Sequence, residues 1–347
     1  MLVLWVLLAL TIAVSALAAW VSRSTEQAIT LADAREGQIG RFSTLETLNY
    51  LLASRPRRIG GVYMGEGVDE MVARWRDNPF VSHRGEISSD DLALDGRAYR
   101  GSGGTRFFLQ DEAGLINPNV FREDWMLDLL ARSGEPVTRR RRLLERLADF
   151  TEYRPDQGLV GVRVQDYRAA GLPPPPNRFL LAPLELVRVL DWDRVITRNP
   201  QQWQHWLGVR GGGSLNMNTA PLALLEAVQG ITRDTAMRII ELRRVKPFAS
   251  VDEAQKRTGR WFDEFVFRTL PGEAVRVTIA AADQTRPWRY HWRATHQRNG
   301  SMPWVIELAY PVAAQTSTNG ASFEPDRATT PPHPLLAPPE DADARRR

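Results

Sequence analysis

The first 21 residues, MLVLWVLLALTIAVSALAAWV, carry no ionised side chain, and the run closes at Arg23. A helix needs roughly 20 apolar residues at about 1.5 Å rise each to cross about 30 Å of hydrocarbon, so the chain is expected to begin in a membrane. A cleavable secretory signal is the competing reading, since Ala16-Leu17-Ala18 has the small-x-small form that peptidases cut after. The length of the run and the lack of basic residues before it favour a retained anchor. Either way the remainder is expected to lie on the far side of the membrane.

The chain as a whole is long enough for one or two domains with real cores: 347 residues, 43% hydrophobic and 25% charged. It has no cysteine, which excludes disulfides, thiolate zinc sites and cysteine nucleophiles. The net charge of +4 permits acidic partners without demanding them.

From 22 to about 53, apolar residues recur at helical spacing without proline: Ile29, Leu31, Ile39, Phe42, Leu45, Leu48, Leu51 and Leu52. This predicts one long helix leaving the membrane and ending at Arg55-Pro56, with Gly37 and Gly40 marking a candidate kink. Residues 92–99 and 105–110, joined by Arg100-Gly101-Ser102-Gly103-Gly104, read as a hairpin. Helical patterns follow at 123–132, 137–150, 184–190, 222–229, 233–244 and 251–257, divided by the run Pro173 to Pro176. Each half opens with an Asn-x-Asn motif, Asn117-Pro118-Asn119 and Asn216-Met217-Asn218, expected to cap the helices that follow. The echo suggests two related units.

After Pro271 the period switches to two. Val275, Val277 and Ile279, then Trp288, Tyr290 and Trp292, then Trp304, Ile306 and Leu308 give three antiparallel strands with one buried aromatic face, covered by the long helix. From Val312 the proline-rich, aperiodic sequence reads as disordered.

Reactive constellations are missing. The five histidines are scattered, no Gly-x-Ser-x-Gly elbow occurs, and the glycine-rich stretches lack the Lys-Ser/Thr of a phosphate loop, so an enzyme is not expected. Residues 218–259 resemble the helix-hairpin-helix modules that hold DNA phosphates, but Thr232 takes the second glycine position of the usual Gly-x-Gly hairpin. The alternative function is therefore a membrane-tethered DNA-binding protein of the uptake type. Asp149, Glu152, Asp156 and Asp166 read either as solvated acids or as an oxygen-rich loop for Ca²⁺.

Several segments in order resemble protein K of the type II secretion system, a minor pseudopilin: Leu2-Val3-Leu4-Trp5-Val6-Leu7, Phe108 through Asn117, Asn177-Arg178-Phe179 to Glu185-Leu186, and Leu215-Asn216-Met217-Asn218-Thr219-Ala220. The resemblance implies an α+β fold, with a pilin-like long helix on an antiparallel sheet and a large inserted all-α, sterile-alpha-motif-like domain. It implies the divisions 1–21 (transmembrane), 22–115 (helix and first strands), 116–271 (inserted helical domain of two units), 272–311 (returning strands) and 312–347 (tail). It places the chain in the inner membrane with its bulk in the periplasm. There it would join the I and J subunits in a tip complex that initiates or caps the pseudopilus, using the helix face with Ile29, Leu31, Ile39, Phe42 and Leu45. No cofactor is required for that role. Some relatives bind Ca²⁺ through an aspartate-rich segment, which carries over to Asp149, Asp156 and Asp166, although Arg163 stands where a further acid is expected. Family precursors begin with a short basic leader; Met1 already lies within the apolar segment, so the leader is expected upstream or lost.

Overall fold

A computed structural model describes residues 2–64, 91–151, 164–281, 286–295 and 302–312. The tail beyond 312, and with it the expectation of disorder, lies outside the described residues.

Helix α1 spans Leu2–Ser54 without a break, 53 residues or about 80 Å. Every large apolar side chain from Leu2 to Val21 is at least 49% exposed, and this is the one helix among the described residues long and apolar enough to cross a membrane. Only its last third is buried, through Gly37, Gly40, Thr44, Leu45, Leu48, Asn49, Leu51 and Leu52. Gly40 is a contact point rather than a kink. A Cβ there would sit 2.9 Å from the carbonyl oxygen of Ser102 and 3.0 Å from the Thr105 methyl, so only glycine lets the helix approach the 3-10 turn Ser102–Gly104. One turn further on, Thr44 Oγ1 lies 2.8 Å from Thr105 Oγ1 and accepts from the Ser102 N–H at 3.0 Å.

Two short strands, β1 (Arg57–Arg58) and β2 (Gly61–Val62), pair with each other. The main sheet contains β3 (Asp95–Arg100), β4 (Arg106–Asp111), β7 (Ala274–Ala280), β8 (Trp288–Ala294) and β9 (Trp304–Pro311), ordered β3-β4-β7-β8-β9 and antiparallel throughout. Its apolar face, with Phe107, Leu109, Val275, Val277, Ile279, Tyr290 and Trp292, packs under Leu45, Leu48, Leu51 and Leu52 of α1 as one core. The α+β arrangement of a long helix on an antiparallel sheet is the expected one. Strand β9 departs from simple alternation: Trp292 pairs with Ile306 and His291 with Leu308, so Glu307 is the extra residue of a bulge. Leu308 consequently moves to the polar side, leaving Trp304 and Ile306 on the apolar one.

Strands β4 and β7 are neighbours in space, yet residues 112–273 lie between them in sequence. That stretch forms a helical head with its own core. Its helices are α2 (Glu123–Arg132), α3 (Val137–Thr151), α4 (Val164–Ala169), α5 (Trp192–Arg198), α6 (Pro200–Trp206), α7 (Leu222–Glu226), α8 (Arg233–Val245) and α9 (Val251–Thr258). The pattern expected at 184–190 is a 3-10 turn, Pro183–Arg188. A short parallel pair, β5 (Leu215–Asn216) and β6 (Phe267–Arg268), closes the second half. Helices α5 and α6 were not legible. Each is one to two turns long, and both are held by tertiary packing, with Trp192, Trp203 and Trp206 in T-shaped contacts at 5.6 and 5.5 Å.

The Asn-x-Asn motifs do not cap helices; the residues at those helix starts are Arg122 and Pro221, neither with a capping side chain. Instead the two motifs share one geometry. The first asparagine's Oδ1 accepts from the second's backbone N–H, at 2.9 Å for Asn117 and 3.0 Å for Asn216. The second asparagine then holds a distant strand of backbone. Asn119 exchanges hydrogen bonds with Leu180 N–H and C=O, and Asn218 does the same with Phe248 while also donating to Thr269. These are local turns that clamp loops, a use of short amides that competes with helix capping.

Candidate assembly interface

The exposed side of α1 follows from 100° per residue. Leu31, Arg35, Ile39, Phe42, Glu46 and Tyr50 are spaced by three or four and form one continuous ridge opposite the buried face. Leu31 is 71%, Ile39 60%, Phe42 65% and Tyr50 54% exposed. The flank is apolar and exposed, with Arg35 and Glu46 set between its apolar side chains. Of the five residues expected to meet a partner, Leu31, Ile39 and Phe42 share the ridge. Ile29 is exposed but lies roughly a third of a turn away, on the side that leads towards Gly40. Leu45 is corrected: it belongs to the chain's own core under the sheet, because the same helical turn that exposes Phe42 rotates Leu45 inwards. Tyr50 was missed, although its i+4 spacing from Glu46 places it on the ridge. Arg41 reaches from the flank over the Trp288 ring at 5.0 Å.

The head is tied to the sheet at its neck. Asp111, the last residue of β4, is fully buried and accepts four hydrogen bonds: from Ala113 N–H at 3.0 Å, Gly272 N–H at 2.9 Å, the Asn216 amide at 2.8 Å and the Thr219 hydroxyl at 2.9 Å. Burial raises its pKa, against the pull of those donors. Arg57 also donates to the Gly272 carbonyl and stacks over Trp292. One carboxylate thus joins the chain leaving the sheet, the chain returning to it, and the second Asn-x-Asn motif.

The polar side of the sheet is not solvated, as strand alternation alone implies. It is buried under the head. Arg276 Nη1 donates to the carbonyls of Gln204 at 2.6 Å and Leu207 at 3.3 Å, and Arg289 Nη1 donates to Gln204 at 3.2 Å. Two guanidinium groups thereby satisfy the open carbonyls at the C-terminal end of α6, where a cation is favoured. Burial pulls Arg276 down to about 9, which leaves it protonated at neutral pH, and burial also lowers Arg289. Glu112 faces them. Its Oε1 lies 2.5 Å from His291 Nδ1, and its Oε2 accepts from the N–H groups of Val209 and Arg210. Burial pushes the Glu112 pKa up, but His291, Arg276 and the Arg210 N–H outweigh it and hold the group below its ordinary range. Burial, reinforced by Arg276 and Arg289, drives the His205 imidazole down to about 3.

Of the candidate metal ligands, Asp149 lies on α3 and Asp166 at the start of α4, while Glu152 and Asp156 lie outside the described residues. No group of three or more metal-ligating side chains occurs among the described residues. In the hairpin region, Thr232 caps α8 by accepting from the Thr235 N–H at 3.2 Å. Arg243 is buried and donates to the carbonyls of Met217 and Ala220, so it is closed to a nucleic-acid phosphate.

Residues 215–259 match the family model described as Type II secretion system (T2SS), protein K. No curated protein matches. One chain of the crystal structure of the GspK-GspI-GspJ complex from enterotoxigenic Escherichia coli Type 2 Secretion System is similar, at 15% identity and a TM-score of 0.46, over 84% of this chain and 98% of that one. The matched segment contains the Asn216–Asn218 clamp, helices α7 and α8, and α9 up to its closing Gly259. Through this part of its head, the chain is similar to the protein K family of the type II secretion system.

Proposed function

We propose that this chain is a minor pseudopilin, the K subunit of a type II secretion system, working by assembly rather than catalysis. The observation that carries the reading is the match of 215–259 to that family. The architecture supports it: an exposed apolar anchor, a pilin-like helix on a sheet, and a bulky head set between neighbouring strands. In this reading α1 holds the chain in the inner membrane, with the bulk of it in the periplasm. The ridge of Leu31, Ile39, Phe42 and Tyr50 packs against helices of the I and J subunits, and the head ends the fibre at its tip. The DNA-uptake alternative draws no support from a hairpin region whose Arg243 is buried.

Co-purification of the full chain in detergent with I and J subunits tests the proposal. A stable ternary complex is expected. Folded partners that fail to associate at micromolar concentration would overturn it. The calcium site at Asp149, Asp156 and Asp166 is a separate proposal, tested by calorimetric titration of the purified chain with CaCl₂; no heat of binding at millimolar Ca²⁺ would dismiss it.

A further inference from the structure

The seam between the sheet's polar side and the end of α6 holds an unusual balance of charge. Buried on the sheet side are Arg276 at 4%, Arg289 at 3% and His291 at 2% exposure, and from the head come His205 and Glu112, the latter at 1%. Tyr310 of β9 completes the group, with its hydroxyl 3.3 Å from His291 Nε2 and its ring stacked on the imidazole at 5.8 Å. Among the described residues, Glu112 is the carboxylate that faces both arginines. At the rim Glu307 pairs with Arg210 of the head at 2.6 Å and with Arg293 of β8 at 2.8 Å.

Two cations and the His291 imidazole therefore rest on one buried carboxylate and a set of backbone carbonyls, with the half-buried His205 imidazole beside the two arginines. Removing that negative charge leaves buried guanidinium groups facing each other without compensation, which strongly disfavours the closed seam in a low-dielectric site. A proton on His205 adds a third positive charge beside them. The neck is built differently. Asp111 is tied by four neutral donors, including two backbone N–H groups, and does not face the seam's cations.

We propose that this seam is an acid-released latch: protonation of Glu112 and His205 frees the head from the sheet's polar face, while the neck at Asp111 and Gly272 keeps the two parts joined. In the closed state the head is locked against β7, β8 and β9. In the open state it pivots about the neck, and the rim pairs of Glu307 go with it.

The test uses the full chain, which has no native cysteine. Spin labels at Thr197→Cys on α5 and Ala309→Cys on β9, both exposed positions, report the separation of head and sheet by pulsed dipolar spectroscopy in detergent. Between pH 7.5 and 3 the distance distribution is expected to shift to longer, broader separations while the helical circular dichroism signal is retained. Glu112→Gln is expected to be open already at pH 7.5, and His205→Gln to open at lower pH than the parent. An unchanged distribution down to pH 3, a Glu112→Gln chain that matches the parent, or opening that occurs only in step with loss of helix would each overturn the latch. If Glu112→Gln does not fold, His205→Gln decides: an unshifted midpoint overturns the proposal.

Discussion

Asp111 accepts a hydrogen bond at 2.9 Å from the backbone N–H of Gly272, a residue 161 positions later in the chain. The whole head is strung between these two, so this contact closes the neck at which head and sheet are joined. Replacing Asp111 with alanine leaves two backbone donors, an amide and a hydroxyl buried without an acceptor. The expected loss is about 3 kcal/mol or more, read as a lower urea midpoint. Asp111→Asn is expected to recover only part of it, because its NH₂ group meets donors where the carboxylate offered an acceptor.

The approach of α1 to the Ser102–Gly104 turn gives a second expectation, opposite in sign to helix propensity. In an open helix Gly→Ala gains about 1 kcal/mol. At Gly40 the added methyl would lie 2.9 Å from a backbone oxygen, so Gly40→Ala is expected to destabilise by about 1 to 3 kcal/mol, as overpacking does. Chemical denaturation of the two chains side by side settles the sign.

Phe42 and Leu45 are three residues apart, and the offset of about 60° between them leaves Phe42 in solvent and turns Leu45 onto the sheet, so their substitutions should separate assembly from stability. Phe42→Glu is expected to leave the unfolding midpoint within about 0.5 kcal/mol, as surface changes do, and to abolish co-purification with I and J subunits. Leu45→Ala is expected to cost about 2 to 5 kcal/mol by opening a cavity in the helix–sheet core. A Leu45→Ala complex that still forms below the melting temperature would complete the distinction.

Stability is expected to fall with acid. His205 binds a proton at about 6.5 when unfolded and at about 3 when folded, so between those values the unfolded chain holds the extra proton and is favoured as pH drops. One such proton is worth up to about 1.4 kcal/mol per pH unit. Glu112, held below its ordinary value in the fold, contributes stability above about pH 4.5 that is lost as pH falls further, the same sign. Urea midpoints measured from pH 7.5 to 4 are expected to decline, and to decline less for His205→Gln.

Which parts were legible follows from where the information lies. The period of 3.6 in 22–53 and the period of two after 271 are local, and α1, the hairpin and the three returning strands emerged close to their observed bounds. Helix α2 coincides with its expected span, 123–132. Alternation reports that one side of a strand is apolar, but it does not report that the other side is covered by a second body. Arg276, Arg289 and His291 lie on that other side and are buried all the same. The bulge at Glu307 escaped for a related reason, since it depends on the partner strand's register. The asparagine motifs were noticed for the right residues and assigned the wrong task, because capping and loop-clamping use the same short amide. On α1, the helical period identified the exposed ridge but not its rotation relative to the sheet, which is what separates Phe42 from Leu45.

The antiparallel ladder between β4 and β7 runs from Arg106–Ala280 to Asp111–Val275 without a register shift. The platform's own hydrogen-bonding thus makes no reference to the residues spliced between those strands. A tight two-residue turn joining them would close the same ladder, so as far as this backbone pairing is concerned the head is a passenger carried between two strands that already fit.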